Sequence, residues 1–218
     1  MSALKEDAGS QTLARGLTAL EVIGAADAPI SVSQLCQELG IHRSMAYRLV
    51  KTLEQFGFVE RDAAGGLTLG AKLSTLARGV AKSLQEAAAP EIAALAAELE
   101  MTAFLATQDG NEVVTLSSAE PPNAETTVAK RPGSRHSMNK GAPGKVVRSQ
   151  VNPASYPPNA FELSQDEVIP GVASIAVPLS IPGHKPAALA VIYLPREVET
   201  GTIVTKLQAA AKRIKASC

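Results

Sequence analysis

This sequence has few cysteines, little net charge and no long apolar run. The scarcity of cysteine and the absence of long apolar runs each exclude a class of protein. Only Cys36 and Cys218 occur among the 218 residues, too few for the disulfide framework of a small secreted domain. No apolar run is long enough to span a bilayer, and residues 1–10 show no signal-peptide pattern. We therefore expect a cytoplasmic protein that has no membrane partner. Cys36 either packs inside a helical domain or serves as a redox sensor.

Catalytic patterns are missing as well, although the chain has three histidines, His42, His136 and His184. They are far apart, none has the spacing of metal ligands, and Cys36 has no adjacent histidine to activate it. The GxxGK segment at 141–145 is too short for a nucleotide phosphate-binding loop, and Val146 follows it instead of Ser or Thr. The acidic pair Asp166 and Glu167 is typical of a solvated turn. We therefore predict no enzyme activity, no catalytic residue, no metal site and no cofactor.

A short helix is predicted by the signals at its two ends. Ser31 as the N-cap places Gln34 where it completes a capping box, and Ile30 before the cap can pack against Leu35. Gly40 supplies the left-handed conformation that ends such a helix.

A second helix should run over residues 43–56 and end at Gly57. At 100° per residue one side gathers apolar residues, namely Ala46, Leu49, Val50 and Leu53. The opposite side gathers Ser44, Tyr47, Arg48 and Lys51. One face is therefore expected in a core, and the other is free to contact a partner.

The free side of this helix is basic. The ten residues 42–51 include His42, Arg43, Arg48 and Lys51 and no acid, although the whole chain balances 21 basic against 21 acidic residues. A local positive face on a neutral protein predicts a polyanionic partner, and such a helix fits the major groove of DNA. The alternative is an ordinary solvated helix face.

A β-hairpin should follow, because residues 58–69 read as two short strands around the turn DAAGG. A preceding helix would complete a three-helix core with Leu13, Leu17, Leu20 and Ile23. This order predicts a winged helix. Arg61 at the base of the wing either reaches a backbone phosphate or pairs with Asp62 or Glu60.

The length of the chain predicts a second domain. We expect a winged helix-turn-helix domain at 1–70, a linker helix at 71–89, a break at Pro90, and an α+β domain at 90–218 that opens with a helix at 91–100. The strands of its antiparallel sheet are expected at 102–107, 112–116, 126–129, 172–179 and 187–193. A short helix at 141–148 and a closing helix complete it. Pairing of linker helices in a two-fold dimer would present two recognition helices to a palindromic site.

Four segments resemble the IclR family of bacterial transcriptional regulators: HRSMAYRLVKTLEQFGFVERD, LTLGAKLSTLARG, PGSRHSMNKGAPGKVV and VIPGVASIAVPL. The resemblance implies an N-terminal winged helix and a C-terminal GAF-like domain that binds small organic effectors. It also implies homodimers or dimers of dimers that repress or activate transcription and are not enzymes.

The resemblance also implies functional residues. Ser44, Tyr47 and Arg48 occupy places where the family's recognition helix meets double-stranded DNA, and the basic stretch and the wing add Arg43, Lys51 and Arg61 to the expected contacts. The positions that line an effector pocket would be Met138, Asn139, Gly141, Asp166, Ser174, Val191 and Tyr193. Two departures bear on that pocket. Ser137 and Asn139 stand where the family usually has Pro and His, and the segment between Val147 and Gly171 is shorter than the family's pair of helices.

A basic strip in the second domain is visible without the family. Within residues 130–148 there is no acid, and the basic residues are Lys130, Arg131, Arg135, Lys140, Lys145 and Arg148, with His136 among them. A concave site beside such a strip would favour an anionic effector such as an organic acid. The alternatives are a solvated loop edge or a second surface for phosphate.

Two functions follow from these patterns. The first is a transcriptional regulator whose binding to a palindromic operator is changed by a small, organic and anionic effector. The second is a DNA-binding regulator whose shortened second domain serves only oligomerisation or protein contacts. Titration of operator binding with ligands distinguishes the two.

Overall fold

A computed structural model describes residues 9–77, 79–122 and 126–218. The chain divides into two units, residues 1–80 and residues 81–218, each of which is described by itself. Two predictions fall partly outside the described residues: the absence of a signal peptide at residues 1–10, and the linker helix, which includes residue 78. Across the described ranges, no helix is long and apolar enough to cross a membrane.

The first unit is a three-helix core followed by a hairpin and a short helix. Its elements are α1 (Gln11–Ala25), α2 (Val32–Leu39), α3 (Arg43–Gln55), β1 (Val59–Arg61), β2 (Leu67–Leu69) and α4 (Lys72–Ala77). The two strands pair antiparallel, with Val59 opposite Leu69. Helix, helix-turn-helix and hairpin in this order form a winged helix, as the sequence predicts.

The turn between α2 and α3 follows from the residues at the ends of α2. The Ser31 hydroxyl accepts from the Gln34 backbone N–H at 3.2 Å, and the Gln34 side chain accepts from the Ser31 N–H at 2.8 Å. Gly40 ends the helix in the left-handed conformation, with φ +60°. The predicted capping box and helix end are both confirmed.

The predicted core face of α1 is partly wrong. Leu13 and Leu17 are 62% and 54% exposed, and the buried residues of the helix are Gly16, Ala19 and Ile23. Small residues let α1 approach its neighbours closely, whereas apolar periodicity gives most weight to large side chains. The two leucines therefore lie on the surface of the first unit.

The end of the wing packs closely against the segment that follows α3, and a glycine lies on each side of this contact. Gly57 has φ +73°, and the Gly70 N–H donates to the Phe58 carbonyl at 2.8 Å. A Cβ atom on Gly70 would lie 2.3 Å from the Gly57 carbonyl oxygen. The backbones approach too closely at this point for any side chain.

The second unit is a six-stranded antiparallel sheet with helices on both faces. Its elements are α5 (Lys82–Leu99), β3 (Thr102–Asp109), β4 (Glu112–Ala119), β5 (Arg135–Ser137), α6 (Ala142–Val151), β6 (Glu162–Gln165), β7 (Ala173–Leu179), β8 (Ala187–Tyr193) and α7 (Thr200–Ser217). The strand order is β5-β4-β3-β8-β7-β6. The unit is α+β, as predicted.

The central strands are buried on both faces, and successive residues alternate between two cores. On one face Leu105, Leu189 and Val191 pack in a core with residues of α5 and α7. On the other face Phe104 and Ile192 pack in a core with residues of α6. The sheet therefore separates the α5 and α7 side from the α6 side.

Two details of the sheet differ from the predictions. Residues 126–129 do not form a strand, and β5 at Arg135–Ser137 pairs with β4 instead. Strand β6 is not predicted, because its sequence ELSQ is mostly polar.

The predicted linker helix at 71–89 is not one helix, because α4 covers Lys72–Ala77, α5 covers Lys82–Leu99, and residues 79–81 belong to neither. Pro90 lies inside α5 and does not interrupt it. Its side chain is exposed, so the missing backbone N–H weakens the helix only locally.

Candidate DNA-binding face and ligand cavity

Helix α3 divides into a buried side and an exposed side, as its sequence predicts. Ala46, Leu49 and Val50 are buried. The exposed positions are Arg43, Ser44, Tyr47, Arg48 and Lys51. The helix therefore presents all five of its predicted DNA-contacting residues to the surface.

The cations of this face lack acidic partners. The Arg43 guanidinium lies 5.7 Å from the centre of the Tyr47 ring, a cation–π contact along the helix surface. Among the described residues, Arg48 and Lys51 have no ion pair and no side-chain hydrogen bond. Their charges are free to meet an anion.

Arg61 is engaged within the first unit. Its Nε lies 2.7 Å from Glu54 Oε1, and its Nη1 donates to the Gly65 carbonyl at 3.2 Å. The partner is neither Asp62 nor Glu60, which were the two acids considered from the sequence. Arg61 therefore ties the wing to the end of α3.

A small cavity lies on the α6 side of the second unit. Its volume is about 30 Å³, room for about two water molecules. The lining residues are Phe104, Lys130, His136, Gly141, Pro143, Ser164, Glu167, Val168, Ile169, Val172, Ser174 and Ile192. The cavity is mostly apolar, with a few polar groups that converge on it.

Two of the polar groups lack partners. The Lys130 side chain is 8% exposed, and its Nζ makes no ion pair with any described acid but lies 5.7 Å from the Phe104 ring centre. Burial lowers the pKa of Lys130. Both ring nitrogens of His136 are buried without a hydrogen-bond partner in the described chain. Burial first, and then the charge of Lys130, lower the pKa of His136 to about 4. An anion in the cavity would compensate this environment.

One acid lines the same cavity. Glu167 forms an ion pair with Lys145 and accepts the Gly141 N–H at 3.0 Å. Burial raises the pKa of this carboxyl, but the hydrogen bonds from Lys145 and Gly141 outweigh burial and lower it overall. Glu167 is therefore held as a carboxylate at the start of α6.

Only part of the predicted effector set reaches the cavity. Gly141 and Ser174 line it, and the Ser174 hydroxyl also donates to the Val191 carbonyl at 2.9 Å. Val191 and Tyr193 lie on the opposite face of the sheet, against the core formed with α5 and α7. Ile192 faces the cavity instead, because alternate residues of a strand point to opposite faces.

The other predicted effector residues lie beside the cavity without lining it. Met138 packs against the core on the α6 side, and Asn139 accepts from Arg148 at 3.3 Å. The Asp166 carboxylate accepts the Gly171 N–H at 2.6 Å and closes the loop 166–172. These three side chains support the walls and the loop around the cavity.

Half of the basic strip is engaged in space, namely Arg135, Lys145 and Arg148. Arg135 contacts Asp109 at 2.6 Å and Glu112 at 2.9 Å across the strands β3 and β4. Arg148 stacks on Tyr156 at 3.9 Å from its ring centre. The acids come from other parts of the chain, which a window of neighbouring sequence does not reveal. Lys130 is the buried cation of the strip that lacks a carboxylate among the described residues.

The winged helix with its exposed basic helix, and the separate sheet domain with its small, mostly apolar cavity, define a two-domain protein of the winged helix-turn-helix class. Comparison with known proteins narrows this class. Residues 12–63 match the IclR helix-turn-helix domain.

Sequence relatives agree with this match. The chain is 30% identical over 93 residues to the HTH-type transcriptional regulator KipR of Bacillus subtilis, covering 42% of this chain and 37% of KipR. The chain spans between 26% and 61% of the length of the curated relatives it matches.

Solved structures share the fold over nearly the whole chain. An IclR transcriptional regulator from Alicyclobacillus acidocaldarius superposes with a TM-score of 0.84 at 20% identity, covering 96% of this chain and 99% of that one. An IclR homolog from Microbacterium hydrocarbonoxydans, complexed with 4-hydroxybenzoate, gives 0.79 at 21% identity over 95% and 98%. The helix-turn-helix match, the sequence relatives and the solved structures confirm the resemblance to the IclR family that is seen in the sequence.

Proposed function

We propose that this protein is a transcriptional regulator that binds a palindromic DNA operator through α3 and responds to a small organic acid. The observation that carries the DNA half is the exposed basic side of α3, whose cations Arg48 and Lys51 have no acidic partner in the described chain. Since bacterial DNA lies in the cytoplasm, we propose that the protein acts there.

Within this proposal α3 enters the major groove. Arg48 and Lys51 contact guanine edges or phosphates, while Ser44 and Tyr47 bond phosphate oxygens or base edges. The cation–π contact holds Arg43 beside Tyr47 at the start of the helix. Arg61 sets the position of the wing through Glu54, and its remaining N–H groups are available to the DNA backbone.

A palindromic operator requires two copies of α3. Exposed apolar residues of the first unit, Leu13, Leu17, Leu76 and Val80, are between 52% and 62% exposed and are suited to cover one another in a two-fold dimer. Half-sites about 34 Å apart would then face two recognition helices. A dimer of dimers is the further assembly that the family resemblance suggests. Sedimentation of the wild type and of a Leu13→Glu, Leu17→Glu variant tests the dimer.

The DNA proposal is tested with an operator selected in vitro from randomised duplexes. Arg48→Ala and Lys51→Ala should each weaken binding by about 1 to 3 kcal/mol for a base contact, and less for a phosphate contact. Each lost phosphate contact should also reduce the slope of log affinity against log salt by about one.

The matched control is Lys215→Ala, which removes one positive charge from an exposed position on α7. It should leave affinity and salt slope unchanged. Wild-type affinity in the double variant Arg48→Ala, Lys51→Ala would refute the assignment of α3 as the recognition helix.

The effector half of the proposal rests on buried Lys130. A buried ammonium without a carboxylate partner is costly, and a ligand carboxylate in the cavity would offset that cost. The neutral ring of His136 offers one further donor and one acceptor, and Phe104 and Ile192 offer apolar surface. The structural neighbour that holds 4-hydroxybenzoate supports a ligand of this class.

The present volume of about 30 Å³ is well below the roughly 300 Å³ of a usual ligand pocket, so binding requires the cavity to open. Thermal shift with 4-hydroxybenzoate and its neutral amide tests the charge requirement. Lys130→Met should abolish the shift caused by the acid, whereas Lys140→Met, an exposed lysine of the same strip, should preserve it.

The small volume of the cavity favours a second candidate function, a DNA-binding regulator whose second domain binds no effector. A sheet domain that serves only oligomerisation would leave operator affinity independent of every organic acid. Anisotropy of labelled operator DNA, titrated with acids that bind the protein, separates the two functions. Binding without a change in DNA affinity would favour the second.

A further inference from the structure

The cavity is lined on one side by residues 163–172, a segment that forms polar contacts with the start of α6. The Ala142 N–H donates to the Ser164 hydroxyl at 2.9 Å, and the Gly141 N–H donates to Glu167 at 3.0 Å. The Lys145 ammonium donates both to Glu167 and to the Leu163 carbonyl. These polar contacts join β6 and the loop after it to α6.

Glu167 occupies a position that suits an anion. It combines a backbone N–H at the N-terminus of the ten-residue helix α6 with an ammonium group, and both favour negative charge. The almost fully buried and unpaired Lys130 lines the same cavity and adds positive charge beside it. A free carboxylate would find the same donors there.

The loop that carries Glu167 can move as one piece. The Asp166 N–H donates to the Val172 carbonyl at 3.0 Å, and the Gly171 N–H donates to the Asp166 carboxylate, so the two ends of the loop are tied together. Val168 and Ile169 cover the cavity but remain 41% and 40% exposed. Lifting the loop therefore gives up less buried apolar surface than moving two fully buried residues would.

We propose that Glu167 is an internal stand-in for the carboxylate of the ligand, which binds by displacing it from Gly141 and Lys145 and thereby opens the cavity. The inference rests on the proposed function, in that it takes this cavity as the effector site. The apolar part of the organic acid then lies against Phe104 and Ile192, where the loop residues Val168 and Ile169 give way.

If Glu167 competes with the ligand carboxylate for Gly141 and Lys145, removing its charge should tighten ligand binding. The variant Glu167→Gln keeps an acceptor for the Gly141 N–H but loses the charge that pairs with Lys145. Because the site is then less often occupied by the chain itself, it should bind 4-hydroxybenzoate at least about fivefold more tightly by titration calorimetry. The neutral amide of the same compound should gain nothing.

The matched control is Glu112→Gln. Glu112 is close enough to act on the charge of His136, but it pairs with Arg135 and forms no hydrogen bond or ion pair with α6 in the described part of the chain. It removes the same charge near the cavity without releasing the loop, so it should change the affinity less than twofold. Equal tightening by Glu112→Gln and Glu167→Gln would overturn the displacement.

A second measurement follows the displaced group itself. With carbon-13-labelled glutamate, the carboxyl of Glu167 should titrate below its ordinary range in the free protein and return towards that range when 4-hydroxybenzoate is bound. A titration unchanged by the ligand would overturn the proposal, and so would a Glu167→Gln protein that binds no benzoate.

Failure of the proposed function has a different signature. Operator affinity that stays constant while 4-hydroxybenzoate binds and Glu167 is released would refute regulation by the ligand. The displacement of Glu167 would still stand, because neither the calorimetry nor the carboxyl titration involves DNA.

Discussion

His136 should make the second unit lose stability as the pH falls. Its ring nitrogens are buried without partners in the described chain, and burial together with the charge of Lys130 lowers its pKa from 6.5 to about 4. The charge of Glu112 acts in the opposite direction but does not prevail. The folded protein therefore keeps this imidazole neutral at neutral pH.

The sign follows from proton uptake. As the pH falls, the unfolded chain takes up the His136 proton near 6.5, whereas the folded chain takes it up only near 4. The unfolded state binds more protons between these values, so the contribution is fully present above 6.5 and is lost progressively down to 4. At about 1.4 kcal/mol for each pH unit, the total loss is about 3 kcal/mol.

The assay is urea unfolding of the wild type and of His136→Gln, followed by far-ultraviolet circular dichroism at about pH 7 and about pH 4.5. Glutamine does not titrate, and the carboxyls with lowered pKa values, such as Asp109 and Glu98, are common to both proteins. Between the two pH values the wild type should lose about 2 kcal/mol more than the variant. An identical pH dependence of the two proteins would refute the reasoning, as would an imidazole of His136 that titrates near 6.5 by NMR.

Two further predictions concern the first unit. Ser31→Ala removes the hydroxyl of the capping box and should lower the free energy of unfolding by about 1 kcal/mol, measured by urea unfolding, while an unchanged midpoint would contradict it. Gly70→Ala places a Cβ atom 2.3 Å from the Gly57 carbonyl oxygen, so the wing must shift and the melting temperature of the first unit should fall. A melting curve equal to that of the wild type would show that the backbones separate without cost.

The first unit could be predicted almost completely because its signals are local. The capping box at Ser31, the left-handed Gly40 and the turn DAAGG each fix an element within a few residues. The exposed face of α3 follows from its periodicity alone. Leu13 and Leu17 were assigned to the core because periodicity ranks a leucine stripe above one of Gly16 and Ala19.

The cavity could not be predicted in the same way, because it is assembled from distant segments. Lys130 stands out only when its burial is known, and Arg135 and Lys145 are seen to be neutralised only when Asp109 and Glu167 are placed beside them. The sequence around Glu167 indicates only a solvated acid, and its contact with the start of α6 is seen only in the folded structure. The predicted effector set names Val191, whereas the structure places its neighbour Ile192 on the cavity side of β8. The prediction is therefore wrong by one residue along the strand.

The two faces of the sheet have separate roles: one packs against α5 and α7, and the other lines the proposed ligand cavity. Phe104 and Ile192 can be varied on the cavity side while their neighbours Leu105 and Val191 keep the packing against α5 and α7 intact. Neighbouring residues of a strand point to opposite faces, and changes at positions that share no packing partners usually add in free energy, so a change on one face need not disturb the other. A sheet built in this way allows the side chains of the cavity to change without a redesign of the packing against α5 and α7.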